Sequence, residues 1–263
     1  MNLKQVTSVW FSPTGQSRQA VEMIRAEIPG SGAFVDLTDW NVNRPDYGFI
    51  ENEAVIVGVP VYGGRVPDVA VKRLKKLHGK DTPAVLAVTY GNRDYEDALL
   101  ELKDILTEQG FRPVAGAAVS VEHNIAHFAE GRPDEKDREK IREFGRKAAE
   151  ILEKTYSSHE IGELKVKGNH PYRPYGTFSV KLKAGSDCTG CGICVKNCPV
   201  QAISRTDPKV TDETCCIGCM RCVSLCPNHS RSMGTLMKLA VRQKLKKVCA
   251  ERKEPEFFYE TGK

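Results

Sequence analysis

Short apolar runs alternate with stretches of helical periodicity through the first 155 residues. Val6 to Phe11 reads as a buried strand, and Ala20, Val21, Ile24 and Ile28 then recur on one helix face. Ala33–Leu37, Ala54–Val59, Ala84–Val88 and Val114–Val121 predict four further strands. Val69, Leu74 and Leu77 mark one intervening helix, and Leu99, Leu102, Ile105 and Leu106 another. Pro133 suits the first position of a last helix, and Asp134 and Glu135 complement the positive end of its dipole. Ile141, Phe144, Ala148 and Ile151 form its apolar stripe. Continuous apolar strands with helices between them mean a parallel α/β sheet covered on both faces. In a doubly wound sheet, ligands lie at the carboxyl ends of the strands.

The pattern changes after residue 155. Residues 156–185, with Gly168, Pro171, Pro174, Gly176 and Gly185, read as a connector whose Pro-Tyr-Arg-Pro-Tyr run packs across the seam between two halves. Nine of the ten cysteines then fall between Cys188 and Cys226. Cys188, Cys191, Cys194 and Cys198 are spaced C-x2-C-x2-C-x3-C with Pro199 next, and Cys216, Cys219, Cys222 and Cys226 repeat the spacing with Pro227 next. A zinc site needs four ligands and has no use for the x3-C-P ending, and a disulfide framework suits short secreted chains. Two short runs, Ala202–Ser204 and Lys209–Thr211, predict a hairpin around Asp207-Pro208. Leu236–Val248 reads as a basic helix covering a domain face.

This segment resembles the bacterial ferredoxins that hold two [4Fe–4S] clusters. The resemblance implies that each tripod of thiolates takes its fourth ligand from the other motif. Cys188, Cys191, Cys194 and Cys226 then hold one cluster, and Cys198, Cys216, Cys219 and Cys222 the other. Cys215 would break the spacing and reads as a spare thiol; Cys249 lies outside both motifs.

Three loops at strand ends carry a second constellation. Ser12-Pro13-Thr14-Gly15-Gln16-Ser17 precedes a helix, where hydroxyls and backbone N–H groups can surround a phosphate. Such a turn is also an ordinary helix cap. The third strand ends in Pro60-Val61-Tyr62-Gly63-Gly64-Arg65, and the fourth in Thr89-Tyr90-Gly91-Asn92-Arg93, followed by Asp94 and Tyr95. Each places an aromatic and a glycine where a flat ring can stack. The three loops resemble those of flavodoxins, which implies bound FMN and a flavodoxin-like doubly wound sheet of five parallel strands, followed by a small α+β ferredoxin-like domain. Arg65 and Arg93 depart from the acidic flavin surroundings of that family. If either faces the ring it stabilises the anionic reduced flavin; otherwise both face solvent.

The expected domains are 1–155 (flavodoxin-like), 156–185 (connector), 186–234 (ferredoxin-like) and 235–263 (basic helix and tail). Hydrophobic residues make up 40% of the 263, enough for a core, and no apolar run reaches the roughly 18 residues of a membrane span. The N-terminus has no secretory-signal pattern, and cytoplasm is the expected compartment. The net charge of +5 does not argue for nucleic acid, because two thiolate-bound clusters would contribute about −4. It is also uneven. Residues 1–155 hold 21 Lys/Arg against 24 Asp/Glu, and the remainder 18 against 10, which favours docking between halves or with an acidic partner.

As a whole the chain resembles flavodoxin–ferredoxin fusion proteins, as does the run Gly131-Arg132-Pro133-Asp134 leading to Asp137 and Phe144-Gly145. That family implies electron transfer with redox partner proteins, converting one-electron into two-electron steps. The rival reading is an FMN-dependent reductase of a quinone, nitro compound or metal ion. Glu122, His123 and His127 would be its proton donors; His78, His159, His170 and His229 lie away from the flavin loops. Whether the chain is an enzyme or a carrier, and whether it forms a homodimer, are left open by the sequence.

Overall fold

A computed structural model describes residues 3–40, 45–158, 162–176, 180 and 182–261, so that His159 lies outside the described residues. The elements run β1 (Gln5–Trp10), α1 (Gln16–Ala26), β2 (Ser31–Asp36), β3 (Tyr47–Phe49), β4 (Glu53–Pro60), α2 (Asp68–Leu74), β5 (Leu77–Gly79), β6 (Thr82–Tyr90), α3 (Ala98–Glu108) and β7 (Phe111–Ser120). Then come α4 (Glu135–Ser158), β8 (Glu163–Leu164), β9 (Leu182–Ala184), α5 (Ile193–Lys196), α6 (Arg221–Ser224), β10 (Arg231–Met233), α7 (Thr235–Cys249) and β11 (Glu256–Thr261). The main sheet has the order β2-β1-β4-β6-β7-β11-β8. Its first five strands are all parallel. Counted among themselves they read 2-1-3-4-5, the flavodoxin-like winding, whose switch point lies between the first and third.

Each face of the sheet carries its own core. Val57, Leu86, Leu99, Leu102 and Leu106 belong to one, and Val21, Ile24, Ile56, Ile141 and Phe144 to the other. The buried runs of β4 and β6 contribute to both, as strands covered on two sides must. Leu77, expected on a helix, instead begins β5 and pairs with Tyr47 of β3. Three residues are too few for periodicity to separate a strand from a helix end.

The largest departure is at the C-terminus. The expected tail returns to the sheet as β11, antiparallel to β7, and β8 from the connector pairs on its outer side. Phe257 stacks on Phe144 with centroids 5.0 Å apart, and Phe258 packs on the opposite core. The run Glu-Phe-Phe-Tyr-Glu-Thr has the aromatic content of a strand.

The cysteine-bearing segment forms a smaller unit with a third core, to which Ile125 and Ala126 from the loop after β7 contribute alongside Ala202, Ile203, Met220 and Met233. Ile203 and Thr211 form a bridge in the expected hairpin, and β9 pairs with β10. Helix α7 extends the expected span by one residue at each end. No helix among the described residues is long and apolar enough to cross a membrane.

Phe257→Ala should lower stability by about 2–3 kcal/mol, because it removes a partly buried ring from the aromatic stack. The shift of the urea midpoint checks it; an unchanged midpoint would mean that β11 contributes nothing to the sheet.

Candidate functional site

Four strand ends converge on an open cleft. Ser12, Pro13, Thr14, Gln16 and Ser17 line it from the β1–α1 turn, Pro60, Val61 and Tyr62 from the end of β4, and Thr89 and Gly91 from the end of β6. Val121, Glu122, His123 and Asn124, after β7, close the fourth side. The last group marks the fifth strand end. Glu122 and His123 had signals as titratable groups, whereas Val121 and Asn124 had none.

The β1–α1 turn suits an anion. Gly15, the residue before α1, has φ of 91° and makes no side-chain cap, so the N–H groups of Gln16 and Ser17 remain available, whereas that of Arg18 is taken by Ser12 Oγ. A Cβ at Gly15 would meet nothing within 4 Å, so the backbone angle rather than crowding calls for glycine. The serines serve the loop itself. Ser12 Oγ accepts from Arg18 N at 3.0 Å, its backbone N–H donates to Thr38 Oγ1, and Ser17 Oγ shares a 2.7 Å bond with Thr89 Oγ1. Thr14 lines the cleft, and no protein partner engages its hydroxyl among the described residues. Opposite, a Cβ at Gly91 would come within 2.7 Å of His123, so glycine there lets the imidazole approach. Burial holds His123 below the usual imidazole range, and its Nδ1 accepts the N–H groups of Ile125 and Ala126 at 3.2 Å each. The neutral ring therefore carries its proton on Nε2. His127 is not part of the cleft lining; it pairs with Glu122 at 2.9 Å.

Several residues expected around the ring are not brought to this cleft. Tyr90 is buried and packs on Tyr95 at 5.4 Å, and the Tyr95 hydroxyl donates to Glu256 of β11. Asn92 is also buried. It donates to the carbonyls of Cys249 and Glu251 and accepts from Ser120 Oγ, holding the chain where it leaves α7. Gly63, Gly64 and Arg65 turn toward the connector. Arg65 makes two bonds to Glu101, at 2.7 and 2.8 Å, and its guanidinium lies over Tyr172 and Tyr175. Arg93 makes a two-bond pair with Glu96. Both arginines thus meet a carboxylate, and the expected choice between ring and solvent omitted this third outcome.

The cysteines fall into two groups. Cys188, Cys191, Cys194 and Cys226 line one cavity together, a pairing of the first tripod with the last cysteine of the second motif. Cys198 lies close enough to Cys216, Cys219 and Cys222 to raise the pKa of each, and Cys194 acts on Cys222 in the same way. Burial first, then these neighbours, push Cys219 up to about 12 and Cys222 to about 11. Backbone N–H groups aim at the sulfurs. Burial of Cys226 is outweighed by N–H groups of Arg231, Ser230 and Asn228, and Cys198 Sγ accepts from Ala202 N at 3.3 Å. Cys215 is exposed, and Cys249 is buried with its thiol 3.7 Å from the Gly91 carbonyl. The thiol sets are of the kind that 4Fe–4S ligation uses, and the β1–α1 turn is of the kind that receives an anion.

The two sites touch. Arg221, between Cys219 and Cys222, donates to the Pro13 carbonyl of the β1–α1 turn at 2.9 Å. Arg73 of α2 donates to the carbonyl of Pro199, next to Cys198, and Ile217 packs against the core that includes Val57 and Leu86. No motif marked Arg221, Arg73 or Ile217.

Residues 187–243 match the family model of the 4Fe-4S dicluster domain. No curated protein matches the chain. Three solved structures resemble the N-terminal part. The flavodiiron core of Flv1 from Synechocystis sp. PCC6803 is 16% identical over 59% of this chain, with a TM-score of 0.43, but only 37% of its own length is matched. Rubredoxin oxygen:oxidoreductase from Desulfovibrio gigas is 17% identical over 59% of this chain and 38% of its own, with a TM-score of 0.42. A flavodoxin from the domain Archaea is 15% identical over 57% of this chain and 99% of its own, with a TM-score of 0.39. The strand order, and not these scores, decides the fold.

Cys198→Ser and Cys226→Ser should each remove iron from the cluster opposite their own tripod, and Cys215→Ser should retain about eight irons per chain. Iron analysis checks this; a Cys215→Ser loss matching that of Cys216→Ser would overturn the ligand assignment. For Arg65→Gln, a redox titration should move the flavin potential by much less than the ~30 mV that a 1.4 kcal/mol interaction with the reduced ring would produce. A larger downward shift would place the guanidinium at the ring.

Proposed function

We propose that this fusion of a flavodoxin-like α/β fold with a 4Fe–4S dicluster domain transfers electrons between two [4Fe–4S] clusters and a bound FMN, exchanging them with redox partner proteins. The observation that carries the reading is the Arg221 bond to Pro13, which joins a cluster-binding loop directly to the turn suited to the flavin phosphate. The clusters pass one electron at a time and the flavin holds one or two, which converts between the two kinds of step.

In this reading Thr14 and the N–H groups of Gln16 and Ser17 hold the phosphate. Val61 and Tyr62 flank the ring on one side and Gly91 and His123 on another. No side chain need act as a covalent catalyst. His123 is half-buried in the cleft wall, and its Nδ1 is held by two backbone N–H groups, which fits a residue that shapes the loop.

Anaerobically purified protein should show flavin and iron–sulfur absorbance together, with about eight irons per chain. Thr14→Ala should weaken FMN binding by roughly 10- to 150-fold, the loss of about 1.5–3 kcal/mol from a hydrogen bond to an ionised group. Iron content should not change. Fluorescence titration of the flavin-free protein checks the first and iron analysis the second; unchanged affinity would put the phosphate elsewhere.

A further inference from the structure

Resting on that reading, we propose that the two clusters have different places in the electron route. The cluster held by Cys198, Cys216, Cys219 and Cys222 is the inner relay to the flavin. The cluster held by Cys188, Cys191, Cys194 and Cys226 is the outer port, where a one-electron carrier protein delivers or collects electrons.

The inner quartet is anchored to the α/β unit beside almost every ligand. Pro199 follows Cys198, and its carbonyl accepts from Arg73. Ile217 follows Cys216 and enters the α/β core. Arg221 precedes Cys222; its Nε donates to Asn197 O at 3.0 Å and its NH1 to Pro13 O at 2.9 Å.

The outer quartet is tied less directly, its link to the α/β unit being the core that Cys194 shares with Ile125 and Ala126. Among the described residues, the hydrogen bonds of 187–195 and 226–229 stay inside the smaller unit, such as Cys188 N to Gly185 O and Asn228 to Asp187 O. Of the outer ligands Cys191 is exposed, Cys188 and Cys226 are half-buried and Cys194 is buried; of the inner ligands Cys216 is half-buried and Cys198, Cys219 and Cys222 are buried. Ile193 and Leu225, each next to an outer ligand, are 39% and 37% exposed. An outside carrier can approach this end without disturbing the junction.

Electron transfer slows exponentially with distance, so the route follows the shorter hops. A reduced carrier loses one electron to the outer cluster, which passes it through the inner cluster to the flavin. Two such passages, with a proton from solvent, complete a two-electron reduction of the flavin, and two carriers leave oxidised.

The same distance dependence supplies a test that needs no turnover, because a nearby cluster quenches flavin fluorescence by electron transfer. Wild-type holoprotein is treated with ferricyanide and sampled for iron and for FMN fluorescence lifetime. Loss of the first half of the iron, from the more accessible outer quartet, should leave the lifetime short, and loss of the second half should lengthen it. In parallel, Cys191→Ser should keep the short lifetime and Cys219→Ser lengthen it. Should Cys219→Ser fail to fold, the wild-type series decides alone. A lifetime that lengthens with the first half of the iron, or in Cys191→Ser, would overturn the order of the clusters. Purified protein lacking FMN or half of the iron would sink the proposed function as well, so the two failures are distinguishable.

Discussion

A buried ion pair closes this chain on itself. Arg132 makes two bonds to Asp137, at 2.6 and 2.8 Å, with both side chains almost wholly removed from solvent. The guanidinium also donates to Lys253 O, and Arg252 reaches Asp137 from the returning chain. Asn92 joins the same network through its own bonds to the backbone at Cys249, Glu251 and Lys253. A charge so deeply buried is tolerated only when it is fully partnered. The network therefore ties together the loop after β6, the start of α4 and the chain leaving α7. The cysteine-bearing unit is inserted between two points of attachment to one sheet, not appended to its end.

That double attachment gives the junction its geometry. With α4 and the connector leading out and β11 leading back, the smaller unit has limited freedom to turn. Arg221 can then sit on the Pro13 carbonyl, and Arg73 on that of Pro199. Each of these is one guanidinium donating to a carbonyl, worth about 1.5–3 kcal/mol at most. Such contacts choose an orientation more than they create stability, and the cores and the buried network supply the rest.

The positive charge of the second half finds use within the molecule. Arg221 is spent on the junction, and Arg252 meets Asp134 and Asp137, holding the Asp134 carboxyl well below its usual range. Helix α7 keeps an exposed basic face with Leu236 and Leu239 in the open, and nothing in the structure shows what covers it.

The repeated C-x2-C-x2-C-x3-C-P spacing carried the cluster reading through its resemblance to two-cluster ferredoxins. Apolar periodicity gave five parallel strands, because strands buried on both faces leave unbroken apolar runs, and their order of winding came from the resemblance to flavodoxins. The turn from Ser12 to Ser17 was legible through the same resemblance. What the sequence could not decide was which polar side chains meet. Arg65 and Arg93 stand in loops that resemble a flavin site, yet their partners, Glu101 and Glu96, are chosen by packing. Tyr90 and Asn92 occupy equally suggestive positions and turn inward, Tyr90 onto Tyr95 and Asn92 onto the chain that leaves α7 about 160 residues on. Arg73, Ile217 and Arg221 carried no motif at all, because a junction between two units depends on their relative placement. Spacing along the chain determines local ligand geometry; contacts between distant segments exist only after the sheet has closed around its last strand.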